Sequence, residues 1–299
     1  MDTLDLMQFS PVLLPCANVF RSNLRRVAKF QVLPSELVFQ SRRDDVITNK
    51  AIERMTGMRR QELEDFHNEE CSVAIQSEVG RLFDEFNVLP FPVQMRLRDQ
   101  LGIQYIEEML TRHEGLQSSM DAILASMILL SWTAFECFAG DLWCAGVDHG
   151  PQEVANRLLS QNFPKARESI DSAEELYPDY DGRKRLGSYL SHIGKVSFLR
   201  LNDIRFWYGA AFGQTLGKLF DSVMDGRIVA LAAFRNVITH AGGVADRDFC
   251  KHVERFPEFA HIKKGDYITL DGELVTSLRD AAPGLGVALL AEVNKQIPA

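Results

Sequence analysis

From Ile228 to Ile238 only Arg235 and Asn236 interrupt a run of aliphatic and aromatic residues. Such a pattern is apolar on every side of a helix rather than along one stripe, which predicts burial all round. Gly242 and Gly243 end it, because glycine takes the positive φ that closes a helix without steric cost. The helical pattern begins near Ile204, with Gly209, Gly213 and Gly226 as its weak points. A second run, Ala122 to Ala139, is the most apolar of the chain; it carries Glu136 with several serines and threonines, and so reads as a buried helix rather than a membrane span.

Elsewhere the pattern is helical and more polar. Asn49 is a candidate cap for a helix starting at Lys50, with Glu53 in its first turn and charged residues running to Glu70. Gly57 within it leaves room for a helix-turn-helix. Pro90 and Pro92 break the pattern, as do Asp148 to Pro151 and the polar turn Tyr177 to Gly182. Asp266 to Leu270 is the one plausible short strand, followed by a final helix. The chain is therefore predicted to be an all-α helical bundle with at most one short strand pair near its C-terminus. Residues 1–95 form an N-terminal helical region, and residues 96–299 a larger domain with an insertion at about 145–195.

The 299 residues carry a net charge of −8, which does not advertise nucleic-acid binding. The basic residues are unevenly placed, however. Residues 21–60 hold ten Arg or Lys against four acids, and Arg183, Lys184, Arg185, Lys195, Arg200 and Arg205 are opposed only by Asp203. Either group could track phosphates or form a solvated helix face. Five cysteines show no metal-site spacing, and their odd number argues against a disulfide framework. Asp2 and Asp5 precede the first apolar residues, unlike the basic start of a signal peptide. A cytoplasmic protein without a membrane role is expected.

Candidate chemistry centres on Arg235, Asn236 and His240. At about 100° per residue, Asn236 and His240 share a face one turn apart, with Arg235 beside them. A guanidinium buried in an apolar helix costs several kcal/mol unless it is paired or faces a wet cleft. Glu136 is the candidate partner, lying near a stripe of small side chains at Ser126, Thr133 and Gly140; the equal alternative is that Glu136 pairs with another base or reaches solvent. His240 stands at the helix C-terminus, whose partial negative charge favours an imidazolium and thus proton transfer.

Arg235-Asn236-x-x-x-His240 resembles the Arg-polar-x(3 to 5)-His signature of the HEPN superfamily, all-helical domains many of which are metal-independent ribonucleases. Ala125 to Leu142 resembles the early core helix of these domains. Gly242 to Phe249, Gly265 to Leu270 and the final helix resemble the RiboL-PSP-like branch. The resemblance spans roughly residues 100 to 299, with an unmatched stretch between about 145 and 195.

It implies a homodimer in which Arg and His residues of two protomers line a composite active site. His240 would activate the ribose 2′-hydroxyl or protonate the leaving oxygen, Arg235 would hold the phosphate, and Asn236 would orient substrate or imidazole, with Glu136 and Thr239 in support. The products would be 2′,3′-cyclic phosphate and 5′-hydroxyl ends, formed without metal or cofactor. The resemblance further implies a toxin or phage-defence role, with a neutralising or activating protein partner. A family variant with tyrosine two residues after the histidine is modified there by a partner nucleotidyltransferase; this chain has Gly242. The alternative is a non-catalytic HEPN module that binds RNA or docks a protein.

Other constellations fail. His113-Glu114 lacks a second histidine at position 117, and Asp179-x-Asp181-Gly182 lacks the terminal carboxylates of a calcium loop. His67, Glu69, Glu70 and Cys71 fit a helix end better than a metal site, and Gly284-x-Gly286 follows no strand.

Overall fold

The computed structural model describes residues 8–57, 69–112, 114–163 and 185–298. The chain is an all-α helical bundle. Its described helices are α1 (Leu14–Thr56), α2 (Glu69–Asn87), α3 (Phe91–Arg112), α4 (Glu114–His149), α5 (Gln152–Gln161), α6 (Leu186–His192), α7 (Leu201–Phe212), α8 (Gln214–Ser222), α9 (Arg227–Ala241), α10 (Arg247–Val253) and α11 (Gly272–Asn294). The short strand pair expected near the C-terminus is a single antiparallel bridge between Val244 and Tyr267. Residues flanking it are tied by Ala245 N–H to the Asp266 carbonyl at 2.8 Å and Ile268 N–H to the Gly243 carbonyl at 2.9 Å.

The chain groups into two compact units, Met1–Val27 with Asp121–Ala299, and Ala28–Met120. The boundary expected at 95/96 falls inside α3. Pro92 stands in the first turn of that helix, where a missing N–H costs nothing, so the Pro90 and Pro92 pair begins a helix. The cap expected at Asn49 is also absent. α1 continues through Asn49 and stops before Gly57, whose φ of 70° fits a helix terminator. The turn at Tyr177 to Gly182 lies outside the described residues, as do His67 and His113 of the rejected metal constellations.

In the larger unit the core forms around α4, which presents Trp132, Phe135, Phe138, Leu142 and Trp143, all buried. Phe20 of α1 stacks on Phe138 with centroids 4.2 Å apart. The buried Tyr208 hydroxyl of α7 donates to the Ala139 carbonyl at 2.9 Å, and Trp143 Nε1 donates to the Trp207 carbonyl at 2.9 Å. Each bond satisfies the polar end of a large aromatic residue inside the core. α4 and α11 are long and apolar enough to cross a membrane by length and composition. Here, however, their apolar residues supply much of the core. Within the expected insertion, α5 packs on α7 through a buried face of Val154, Ala155, Leu158 and Leu159.

Small residues set close helix approaches. A Cβ at Gly286 of α11 would overlap the Phe20 ring and stand 3.3 Å from Phe138. Gly284 lies under the Met224 side chain. These glycines pack helices together, which accounts for a motif that fails as a nucleotide loop. Of the small stripe on α4, Gly140 meets the Phe198 ring, while Ser126 and Thr133 donate back to carbonyls of their own helix.

In the smaller unit, Ser35 of α1 meets Gly102 of α3 so closely that a Cβ at Gly102 would stand 2.6 Å from the Ser35 carbonyl oxygen. Arg54 of α1 approaches Glu78 of α2 at 3.5 Å, and Glu78 also binds Arg81. These exposed pairs contribute little individually.

Gly286→Val is expected to destabilise the protein by about 1–3 kcal/mol, because the added side chain must displace Phe20 from its stack. Urea unfolding of the full chain checks this. Burial also pushes the thiols of Cys16 and Cys144 up to about 11. At pH 8 both should resist iodoacetamide in the native protein and react once it is unfolded, as read by peptide mass spectrometry.

Candidate active site

The motif helix, α9, is fixed at both ends by left-handed turns. At its start Met224, Asp225 and Gly226 all have positive φ, a costly sequence for the two non-glycine residues. Arg255 holds this turn by donating to the Gly226 carbonyl at 2.8 Å, and a Cβ at position 226 would overlap its guanidinium. At the other end Gly242 and Gly243 have φ of 59° and 83°, and Gly243 N–H closes on the Val237 carbonyl at 3.1 Å. Between these turns Ile228, Leu231, Phe234 and Val237 are buried. Phe234 packs edge-on against Phe249 and Phe259.

Burial all round ends after Phe234. Asn236, Thr239 and His240 are exposed, and the Arg235 side chain retains 24 % of its surface. Arg235 is thus drawn across an apolar helix towards water, as a guanidinium requires. Its Nη1 donates to Asn236 Oδ1 at 3.0 Å, and Nη2 lies 4.0 Å from Glu136 Oε2. The same carboxylate oxygen accepts from Trp132 Nε1 at 2.7 Å. Glu136 is therefore anchored by the indole and supplies the opposite charge facing Arg235. The Thr239 hydroxyl donates to the Arg235 carbonyl at 2.8 Å, so it is spent on its own helix.

Arg235, Asn236 and His240 line a single cavity of about 670 Å³, within the range of roughly 300–1,000 Å³ usual for small-molecule and cofactor sites. Trp132 and Phe220 contribute apolar wall. Arg200, Leu201 and Asn202, at the start of α7, and Arg205 in its second turn form another side. Arg205 is already paired in two contacts with Asp221 of α8.

Of the six basic residues expected to bind substrate, Arg200 and Arg205 line this cavity. Arg185 stands at the N-terminal cap of α6 and Lys195 just beyond that helix, and neither lines it. Sequence proximity did not gather them because α6 and the loop after it separate them from α7. Arg183 and Lys184 lie outside the described residues.

The remaining wall comes from α10, whose residues no pattern singled out as chemistry. Asp246, Asp248 and His252 line the same cavity as the motif residues. Asp246 caps α10, its Oδ1 accepting from Phe249 N–H at 2.7 Å. His252 Nδ1 lies 2.6 Å from the Asp248 carbonyl oxygen. The available sequence signal was the four-residue spacing of Asp248 and His252, which puts both on one face of a helix. The cavity therefore carries three arginines and two histidines against two aspartates, one of which is occupied as a cap. Asp221 and Glu136 stand against two of the three arginines, so the cavity holds its cations beside countercharge.

Asp246→Ala is expected to cost about 1 kcal/mol through the lost cap, and Asp246→Ser to recover most of it. Urea unfolding of both variants is the check. Comparisons with protein-family models, with curated proteins and with solved structures find no match, so the functional reading rests on the residues of this cleft and the resemblance of its motif.

Proposed function

We propose that this protein is a metal-independent endoribonuclease of the HEPN type, which cleaves RNA by attack of the ribose 2′-hydroxyl on the neighbouring phosphate. The observation that carries this reading is the convergence of Arg235, Asn236 and His240 with Arg200 and Arg205 on one cleft. Those groups match what the reaction demands. The dianionic phosphorane that develops at phosphorus needs fixed positive charge, which Arg235 and Arg200 offer. The 2′-hydroxyl must lose a proton and the 5′-oxygen must gain one, which imidazole can do near neutral pH. Asn236, held by Arg235, is placed to bind a ribose hydroxyl or a phosphate oxygen. Proton transfer and charge neutralisation by these side chains suffice, so no metal or cofactor enters the proposal.

In this reading two copies pair so that their clefts form one composite site. The protein acts in the cytoplasm in a toxin or phage-defence setting, under a neutralising or activating protein partner. These elements come from the resemblance of the Arg235-Asn236-x-x-x-His240 motif.

Incubating purified protein with mixed structured RNAs in EDTA should yield 2′,3′-cyclic phosphate and 5′-hydroxyl ends. His240→Ala should lower the rate about 10²–10⁴-fold, and Arg235→Ala about 10²–10³-fold. RNA bound but uncut by the folded wild-type protein would favour the non-catalytic RNA-binding module instead.

A further inference from the structure

Transesterification of RNA moves two protons at two places. The attacking 2′-oxygen and the departing 5′-oxygen stand roughly in line across the phosphorus, so one imidazole at one position cannot serve both during the same displacement. A second proton-transfer group is required, and the signature motif supplies one imidazole per copy, so that group is either the His240 of the other copy in a composite site or another residue of the same cleft.

The cleft contains a second imidazole. His252 projects from α10, a different helix from the one that carries His240, and lines the same cavity. Its Nδ1 sits 2.6 Å from the Asp248 carbonyl oxygen. A carbonyl oxygen only accepts, so Nδ1 must carry the proton, and in the neutral ring Nε2 then holds the lone pair. A backbone carbonyl thereby fixes the tautomer and presents Nε2 as an acceptor, the state a general base requires.

The other candidates in the cleft are less suited. Asp246 Oδ1 is engaged in capping α10, and a carboxylate such as Asp248 is ordinarily a weaker base than imidazole. Glu136 is tied to Trp132 and faces Arg235.

We infer that His252 is the general base and His240 the general acid of the cleft, an assignment that rests on the ribonuclease reading above. His252 Nε2 takes the proton of the 2′-hydroxyl as the 2′-oxygen bonds to phosphorus. The bond from phosphorus to the 5′-oxygen breaks, and the protonated His240 gives its proton to that oxygen. One proton is taken and one given, leaving a 2′,3′-cyclic phosphate, a 5′-hydroxyl, His252 protonated and His240 neutral. Exchange with water restores both rings. Arg235 stabilises the charge on the non-bridging oxygens throughout.

The test separates the two proton transfers by changing the leaving atom. At a linkage that the wild-type protein cuts, the 5′-bridging oxygen is replaced by sulfur, which departs without needing a proton. Full-length wild type, His240→Ala, His252→Ala and His252→Asn are compared on both substrates. His252→Asn keeps an N–H able to reach the Asp248 carbonyl, so it preserves that contact while removing the base. Circular dichroism and urea unfolding establish that each variant is folded.

On the oxygen substrate all three variants should be slower by about 10²–10⁴-fold. On the sulfur substrate His240→Ala should return to near the wild-type rate, while both His252 variants stay slow. Wild-type rates from folded His252 variants on the oxygen substrate would overturn the assignment while leaving the ribonuclease reading intact. Rescue of the His252 variants by sulfur would likewise overturn it, by making His252 the acid, and a His240→Ala variant that stays slow on the sulfur substrate would overturn it by giving the base role to the other copy's His240. A wild-type protein that cuts no linkage would remove the ribonuclease reading and this assignment together.

Discussion

A guanidinium at the end of a buried helical stretch must be given opposite charge or access to water, and the candidate site is organised around meeting that demand at Arg235. Ala230 to Phe234 before it on α9 are buried, whereas Asn236 and His240 after it are exposed and line a cleft. Glu136 provides countercharge at 4.0 Å, close enough to attract but too far to lock the guanidinium into a bidentate pair. A tight buried pair would satisfy Arg235 and leave nothing for a ligand. In the looser arrangement Trp132 holds the carboxylate and Arg235 lines the cavity.

Holding such a residue in register requires a rigid helix, and α9 is constrained more at its ends than along its length. The left-handed residues Met224 to Gly226 redirect the chain from α8, and their strain is opposed by the bond from Arg255 and by the close fit of Met224 against Gly284 of α11. After Gly242 and Gly243 the chain returns as α10, whose Asp246 cap and buried Phe249 and Val253 set the position of His252. The two histidines thus sit on separate helices, linked by a short connection in which each turn is fixed by glycine or by a cap.

The sequence made the helical class legible because its apolar runs are long and uninterrupted, and it made α9 legible because polar residues inside such a run are costly. Termination at Gly242 was equally readable from residue type. The extent of α1 was not, since an exposed Asn49 can sit inside a helix at small cost when tertiary packing holds the helix on both sides of it. Pro90 and Pro92 marked a true break in helix, but whether a break separates compact units depends on which helices pack together, and that is a long-range property. His252 stayed hidden because its significance comes from the wall it faces rather than from its neighbours in sequence. The basic residues between 183 and 205 illustrate the converse, since adjacency in sequence did not carry Arg185 and Lys195 to the cleft that Arg200 and Arg205 line.

Asp221 has a place in this arrangement that its exposed position would not advertise. Its carboxylate binds Arg205 on the cleft wall and lies 3.7 Å from Arg255, the residue that holds the turn into α9. One negative charge is therefore shared between a cavity-lining cation and a cation with a mechanical task. Both pairs are open to solvent, so dissolved ions weaken them together over a Debye length of about 8 Å at physiological ionic strength. The salt content of the medium thus acts at once on how strongly Arg205 projects charge into the cleft and on how firmly the motif helix is held at its origin, making ionic strength a single control over both the field and the framework of the site.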